Sequence, residues 1–209
     1  MGQLITHDHR KVYPQIYGMK PGPVRILQLP SLQYVAQEME TAFHMGWAGR
    51  PQPLDVTWIG WKIVNQLKQQ TKQSLEYKFK LMPPEIVWHA PLEEDRWSVT
   101  QMMQVPDCIT AEMFDLARAH VERNLLRGGR VPSTRFISRP SVLVAQKLHV
   151  GPYRNTGSTF HEMKEFLGEQ GYRIVSDRRE IYLTPSMLVH PPETWKTVVS
   201  VEVEQARTR

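Results

Sequence analysis

Glu180 and Tyr182 stand two residues apart in Arg179-Glu180-Ile181-Tyr182-Leu183, a stretch apolar enough for a half-buried strand. On a strand, alternate side chains share a face, so Glu180 and Tyr182 point one way and Ile181 and Leu183 the other. Ile and Leu can pack, but a carboxylate buried beside them is costly unless something uses it. In an aromatic-lined groove such a carboxylate can bind a cation, accept a proton from water, or donate one when its pKa is raised. Glu180 and Tyr182 are therefore the candidate catalytic pair. The plain structural alternative is an exposed Glu180 paired with Arg178 or Arg179, an arrangement worth little energetically.

The pattern occurs twice. Pro84-Glu85-Ile86-Val87-Trp88-His89-Ala90-Pro91 echoes Arg179-Glu180-Ile181-Tyr182-Leu183-Thr184-Pro185, and each copy precedes a strand opened by a Trp, Trp97–Val105 and Trp195–Val203. Similarity at about half the chain length predicts two copies of one module. Glu85 is then expected to approach the same groove as Glu180 from the other half, with His89 on the Glu85 face by strand parity. The same parity puts Trp88 opposite Glu85 beside Ile86, which makes it a core candidate as well as a groove wall. Trp58 and Trp61 project as neighbours from a helix, and Trp97 and Tyr153 sit at strand ends. Flat rings of this kind clamp flat or cationic ligands.

Other chemistries lack their motifs. The chain has no G-x-S-x-G elbow, P-loop, Rossmann fingerprint, HExxH or paired-cysteine spacing. Cys108 is the single cysteine, so no internal disulfide forms, which fits a reducing cytoplasm. His7-Asp8-His9 could hold a metal but lies in a polar terminal segment, and neither a metal nor a cofactor is expected. The net charge of +5 is scattered, with no nucleic-acid-binding signature beside it. No run of 18 apolar residues marks a membrane span, and the first ten residues lack a secretion signal's apolar stretch. The expected partner is a planar hydrophobic small molecule, with no nucleic acid, no membrane and no protein partner assigned.

The elements that must position these residues follow from periodicity. Val24–Met39 reads as a long strand interrupted at Pro30. Leu54–Lys72 reads as a helix with Asp55 as a possible cap and Ile59, Ile63 and Leu67 at helical spacing. Strands are expected at about 81–90 and 96–105. Thr110–Arg127 is a connector helix ended by Gly128-Gly129. A strand over Val142–His149, a turn at Gly151-Pro152, a helix with Thr159 and Glu162 spaced as a capping box, and strands at about 179–184 and 196–204 complete the second unit. The expected fold is α+β within a single domain over 1–209: a strand–helix–strand–strand module over 20–106, a connector over 107–130, a second module over 135–205, and a ligand groove between two antiparallel, pseudo-symmetric halves.

At His149-Val150-Gly151-Pro152-Tyr153, Glu180-Ile181-Tyr182-Leu183 and Pro191-Pro192-Glu193-Thr194-Trp195 the chain resembles the GyrI-like small-molecule-binding family. Val24–Met39, Met82–Trp88, Trp97–Met103 and Val105–Thr110 extend the resemblance to its stand-alone members, over roughly residues 13–204. The resemblance implies a duplicated module with a ligand groove and Glu180 facing the ligand. Some stand-alone members hydrolyse the strained cyclopropane of DNA-alkylating antibiotics of the yatakemycin and CC-1065 type within an aromatic cage. By that likeness aromatic walls hold the flat drug, Glu180 is the water-activating base, and a phenol donates to the drug's carbonyl as charge develops there. Non-catalytic sequestration of hydrophobic or cationic drugs and inhibition of gyrase are the alternatives. Relatives often carry a second Trp where this chain has His89, and acidic residues where it has Arg154-Asn155.

Overall fold

The computed structural model describes residues 4–42, 59–92, 96–125, 133–184 and 190–206. Its centre is a nine-stranded antiparallel sheet built from β2 (Arg25–Leu29), β3 (Leu32–Ala42), β5 (Glu85–Pro91), β6 (Arg96–Val105), β7 (Thr134–Arg139), β8 (Val142–Val150), β9 (Tyr172–Ile174), β10 (Arg178–Tyr182) and β11 (Lys196–Gln205). A separate two-strand ladder pairs β1 (Thr6–His7) with β4 (Lys78–Phe79). Helices α3 (Ile59–Ser74), α4 (Ala111–Leu125) and α5 (Thr156–Glu169) are amphipathic, burying Ile63, Val64 and Leu67, then Phe114, Ala117 and Val121, then Met163 and Leu167. Two short helices, α1 (His9–Val12) and α2 (Pro14–Tyr17), precede the sheet. None of the described helices is long and apolar enough to cross a membrane.

The strand order is β2-β8-β11-β10-β5-β6-β3-β7, with β9 pairing the far end of β11. Pro30 does not simply interrupt one long strand, as expected; it separates two strands that never pair with each other. β2 binds β8, whereas β3 runs between β6 and β7. β2 and β3 lie six places apart in the order yet are joined by Pro30 and Ser31 alone. Six spacings of about 4.8 Å span about 29 Å in a flat sheet, whereas three Cα steps reach about 11 Å. β7 and β8 impose the same condition through Pro140 and Ser141. The sheet therefore curls into a half-barrel. Its ends are pinned where the two links meet, by Ser31 Oγ donating to the Arg139 carbonyl (3.0 Å) and Ser141 Oγ to that of Leu29 (2.7 Å).

On the outer face, α3 packs on β3 and β6, and α5 on β8, β9 and β11. The Gly60 amide donates to Gln37 Oε1 at 2.8 Å, seating the start of α3 on β3. α4 begins where Thr110 Oγ1 accepts from the Met113 amide (3.2 Å). The expected capping box in α5 does not form. The helix starts earlier, at Thr156, so Thr159 and Glu162 fall inside it and turn instead to His149 (2.9 Å) and Lys147. Leu54–Trp58, Asp55 and Gly128-Gly129 lie outside the described residues.

The inner face is closed at one end by the N-terminal segment. Ile16, Tyr17 and Met19 are buried there. Tyr17 Oη donates to Glu85 Oε1 (3.0 Å), and Arg179 Nε lies 2.9 Å from Glu85 Oε2. Burial pushes the Glu85 carboxyl up against the pull of Arg179; burial also disfavours the Arg179 charge, but Glu85, Tyr34 and Tyr17 together hold its pKa above the ordinary value. The pair bridges β5 and β10, the strands at the middle of the order.

Removing one member of a buried pair leaves an uncompensated charge at a cost of about 3–5 kcal/mol, whereas replacing both members can be nearly neutral. Arg179→Met is expected to lose that much stability in urea unfolding, and Glu85→Gln/Arg179→Met to recover most of it. A carboxyl whose folded pKa is raised stabilises less as pH rises through that range. The Arg179→Met deficit is therefore larger at pH 8 than at pH 5. Additive single losses, or a deficit independent of pH, would show that the pair is not coupled.

Candidate functional site

β10 runs between β5 and β11, with Glu180 opposite Ile86 on one side and Val199 on the other, and Arg178 opposite Trp88. Directly opposed residues share a face, so Arg178, Glu180, Tyr182, Ile86 and Trp88 all point to the outer, helical face. α3 and α5 cover the flanking strands on that face, and aromatic side chains cover β5 and β10 between them.

Glu180 is 1% exposed. Tyr182 Oη donates to its Oε2 at 2.7 Å, and Arg178 Nε lies 3.4 Å from its Oε1. Around it Trp88, Trp97, Tyr153, Tyr182 and Trp195 form a cluster with Ile86, Val99 and Met39. Tyr153 meets Tyr182 edge-on at 4.9 Å and stacks on Trp195 at 4.6 Å, and Trp88 meets Trp97 edge-on at 5.9 Å. Each such aromatic pair contributes about 0.5–1.5 kcal/mol beyond area burial. Burial, then the nearby Glu180 carboxyl, push the Tyr153 and Tyr182 phenols up. Both stay protonated at neutral pH, and Tyr182 acts as a donor to Glu180.

The Gly151-Pro152 turn explains how Tyr153 gets there. Gly151 has φ +138, a region closed to most side chains, and a Cβ would lie 3.4 Å from His149 Nε2. Its amide donates to the Trp195 carbonyl (2.9 Å), tying the end of β8 to the start of β11. His149 is structural: Nδ1 pairs with Thr159 Oγ1 (2.9 Å) and Nε2 with the Pro152 carbonyl (3.1 Å). Trp195 Nε1 donates to the His190 carbonyl at 2.8 Å, fixing the ring under Tyr153.

Glu85 and His89 do not join this site. The register pairs Glu85 with Ile181, not with Glu180, and a slip of one residue moves a side chain to the other face. Glu85 is fully buried on the inner face with Tyr17 and Arg179. His89, at a bulge in β5, bonds Asp177 (2.7 Å) and Thr100 (2.8 Å) at the edge of the inner cavity. Trp61, on α3, packs half-buried on the main core and is not part of the cluster. Trp58 lies outside the described residues. Trp88 does oppose Glu85, as parity requires, but that face is the Glu180 face, so its core and wall positions coincide. Trp195 and Met39 join the cluster although neither is among the site residues expected from the sequence. The Pro191–Trp195 motif was the available signal for Trp195, since it ends at the strand carrying the turn's hydrogen bond. Strand spacing could not expose the register, because four residues separate β5 from β6 and thirteen separate β10 from β11.

Side chains elsewhere are committed locally. Asp8 caps α1 and pairs with Arg10 and Lys80, while His9 bonds Tyr77 (2.8 Å). Burial pushes the half-buried Cys108 thiol up, the reverse of what a nucleophile requires. Among the described residues no group of three or more His, Cys, Asp and Glu could hold a metal.

No protein-family model and no curated protein matches the chain. Solved structures do. An uncharacterized conserved protein from Listeria innocua superposes with TM-score 0.77 at 18% identity, covering 94% of this chain and 99% of its own. A hydrolase from the same organism gives 0.76 at 18%, covering 96% and 100%. The C-terminal domain of EcmrR gives 0.57 at 13%, covering 88% and 98%. At these identities the likeness establishes a shared fold, a curled α+β sheet with helices on its outer face.

Proposed function

We propose that this chain is a stand-alone GyrI-like protein, built from a duplicated module, whose Glu180 cluster binds a planar hydrophobic molecule and hydrolyses an electrophilic ring in it. The cyclopropane of yatakemycin- and CC-1065-type DNA alkylators is the proposed substrate, and detoxification the proposed role. The carrying observation is Glu180 itself: a carboxylate 1% exposed among five aromatic rings, where apolar packing alone would favour an apolar residue. The strand order, identical in form from either end with β10 and β5 at its centre, supports the duplication. The hydrolase name of a similarly folded Listeria innocua protein points the same way.

In this scheme the rings grip the flat drug, and Trp97, half-buried at the margin of the cluster, gives way as it enters. Glu180 orients a water and takes its proton as oxygen attacks the cyclopropane methylene. The C–O bond forms and the strained C–C bond breaks, its electron pair passing to the conjugated carbonyl oxygen. That oxygen takes a proton from Tyr153, which Glu180 then restores through Tyr182 or solvent, and the net change is addition of one water. Tyr182 is given to Glu180 rather than to the drug, because its hydroxyl already donates to Oε2; it is a positioning residue. The same observation favours a second reading, sequestration without turnover: Tyr182 donates to Oε2 and the Arg178 guanidinium stands 3.4 Å from Oε1, and a carboxylate stabilised by a donor and a nearby cation is a weaker base.

Incubation with a cyclopropane-containing duocarmycin-type drug, followed by mass spectrometry, separates the two. Gain of one water is expected, and Glu180→Gln should lower its rate by two orders of magnitude or more while affinity stays within a few-fold. Unaltered drug that co-elutes with the protein would assign sequestration, and a wild-type rate in Glu180→Gln would remove Glu180 as the base. Trp88→Ala should weaken drug binding about tenfold or more, the loss of one well-packed ring. Unchanged affinity with a lower melting temperature would confine Trp88 to the core.

A further inference from the structure

Inside the half-barrel, on the face away from Glu180, lies a cavity of about 340 Å³, within the size range of small-molecule sites. Its walls divide by chemistry. Val87, Met102, Ile137 and Val144 supply an apolar side, and Arg135, Arg139 and Arg179 a cationic one. Two carboxylates also line it: Glu202, paired with Arg139, and Asp177, bonded to His89. The carboxylates that partner the other two guanidinium groups, Glu38 for Arg135 and Glu85 for Arg179, do not line the cavity. Each guanidinium thus faces a carboxylate, but only Glu202 and Asp177 stand on the cavity wall, where three guanidinium groups meet two carboxylates.

Arg179 is the distinctive member. It is 6% exposed, yet its five N–H donors are thinly used. Nε faces Glu85 at 2.9 Å and Nη2 reaches Tyr34 Oη only at 3.4 Å, with no partner for Nη1 among the described residues. A buried guanidinium with idle donors at a cavity wall is costly unless a ligand completes it. Arg139, on β7 opposite Leu32, shares the face of Tyr34 one pairing step away and lines the same cavity as Arg179.

From this we infer that the inner cavity is a second binding site, for a small organic monocarboxylate. Its carboxylate sits between the guanidinium groups of Arg179 and Arg139, and its aliphatic or aryl body lies against Val87, Met102, Ile137 and Val144. The one open edge of the Arg179 guanidinium suits a monoanion. A dianion would meet Glu202 and Asp177, and an ammonium head would meet the arginines. The site lies on the opposite face of the sheet from the aromatic cluster and does not depend on it.

Octanoate, octanamide and octylammonium share one tail and differ in the head group, which makes them direct probes in calorimetric titration of the full chain. Octanoate is expected to bind one-to-one and at least about tenfold more tightly than the other two, the scale of a charge-assisted pair. Arg139→Ala should weaken octanoate about tenfold or more. Glu85→Gln/Arg179→Met, which removes the anchor without stranding a buried charge, should do the same, with a cooperative urea transition certifying its fold. Equal affinity for the three heads, indifference to both variants, or no saturable heat would overturn the proposal. So would loss of octanoate binding in Trp88→Ala, since the acid would then sit on the helical face.

Discussion

The fold turns on a mismatch of lengths. β2 and β3 are six places apart in the strand order yet only two residues apart in the chain, and β7 and β8 repeat the condition. A flat sheet would stretch each link to more than twice its reach. Curling is therefore a covalent requirement of this strand order, not a preference of its side chains. The curl makes the two faces unequal: the outer one diverges and accepts two helices with a gap between them, and the inner one converges into a lined hollow.

That inequality separates two buried charge systems one residue apart in register. On the outer face Glu180 is held by Tyr182 and Arg178 beneath aromatic rings. On the inner face Glu85 and Arg179 face each other across the middle of the sheet, with Tyr17 closing the end. Glu180 and Arg179 are chain neighbours but serve opposite sides, as the period-two geometry of a strand dictates. The packed sheet itself separates the two systems.

Much of this was legible in advance. The valine-rich alternation of 196–204, the helical spacing of Ile63 and Leu67, and the connector helix from Thr110 all announce their elements through local periodicity. The Glu180/Tyr182 pair was legible for the same reason, because parity within one strand needs no tertiary information. The placement of Glu85 and His89 was not. The echo of Glu85-Ile86 with Glu180-Ile181 aligns letters, while inter-strand hydrogen bonds align Glu85 with Ile181, and unequal connections between strands hide the difference. Thr159 and Glu162 carry a capping-box spacing that His149 and Lys147 overrule through contacts with β8. Trp61 has the same aromatic character as Trp97 but rides a helix whose apolar stripe points it at the main core.

What the sequence determined by itself was local: which segments are strands and helices, which side chains share a face within one strand, and that a turn falls at Gly151-Pro152. Only the tertiary structure decided which strands pair and in what register. Hydrogen-bond register is a relation between segments far apart in the chain, and shifting it by one residue exchanges the buried and facing sets without changing a single local preference. The union of Tyr153, Trp195 and Trp88 over Glu180, the transfer of Glu85 to Arg179, and the hollow lined by three arginines all follow from that one non-local choice.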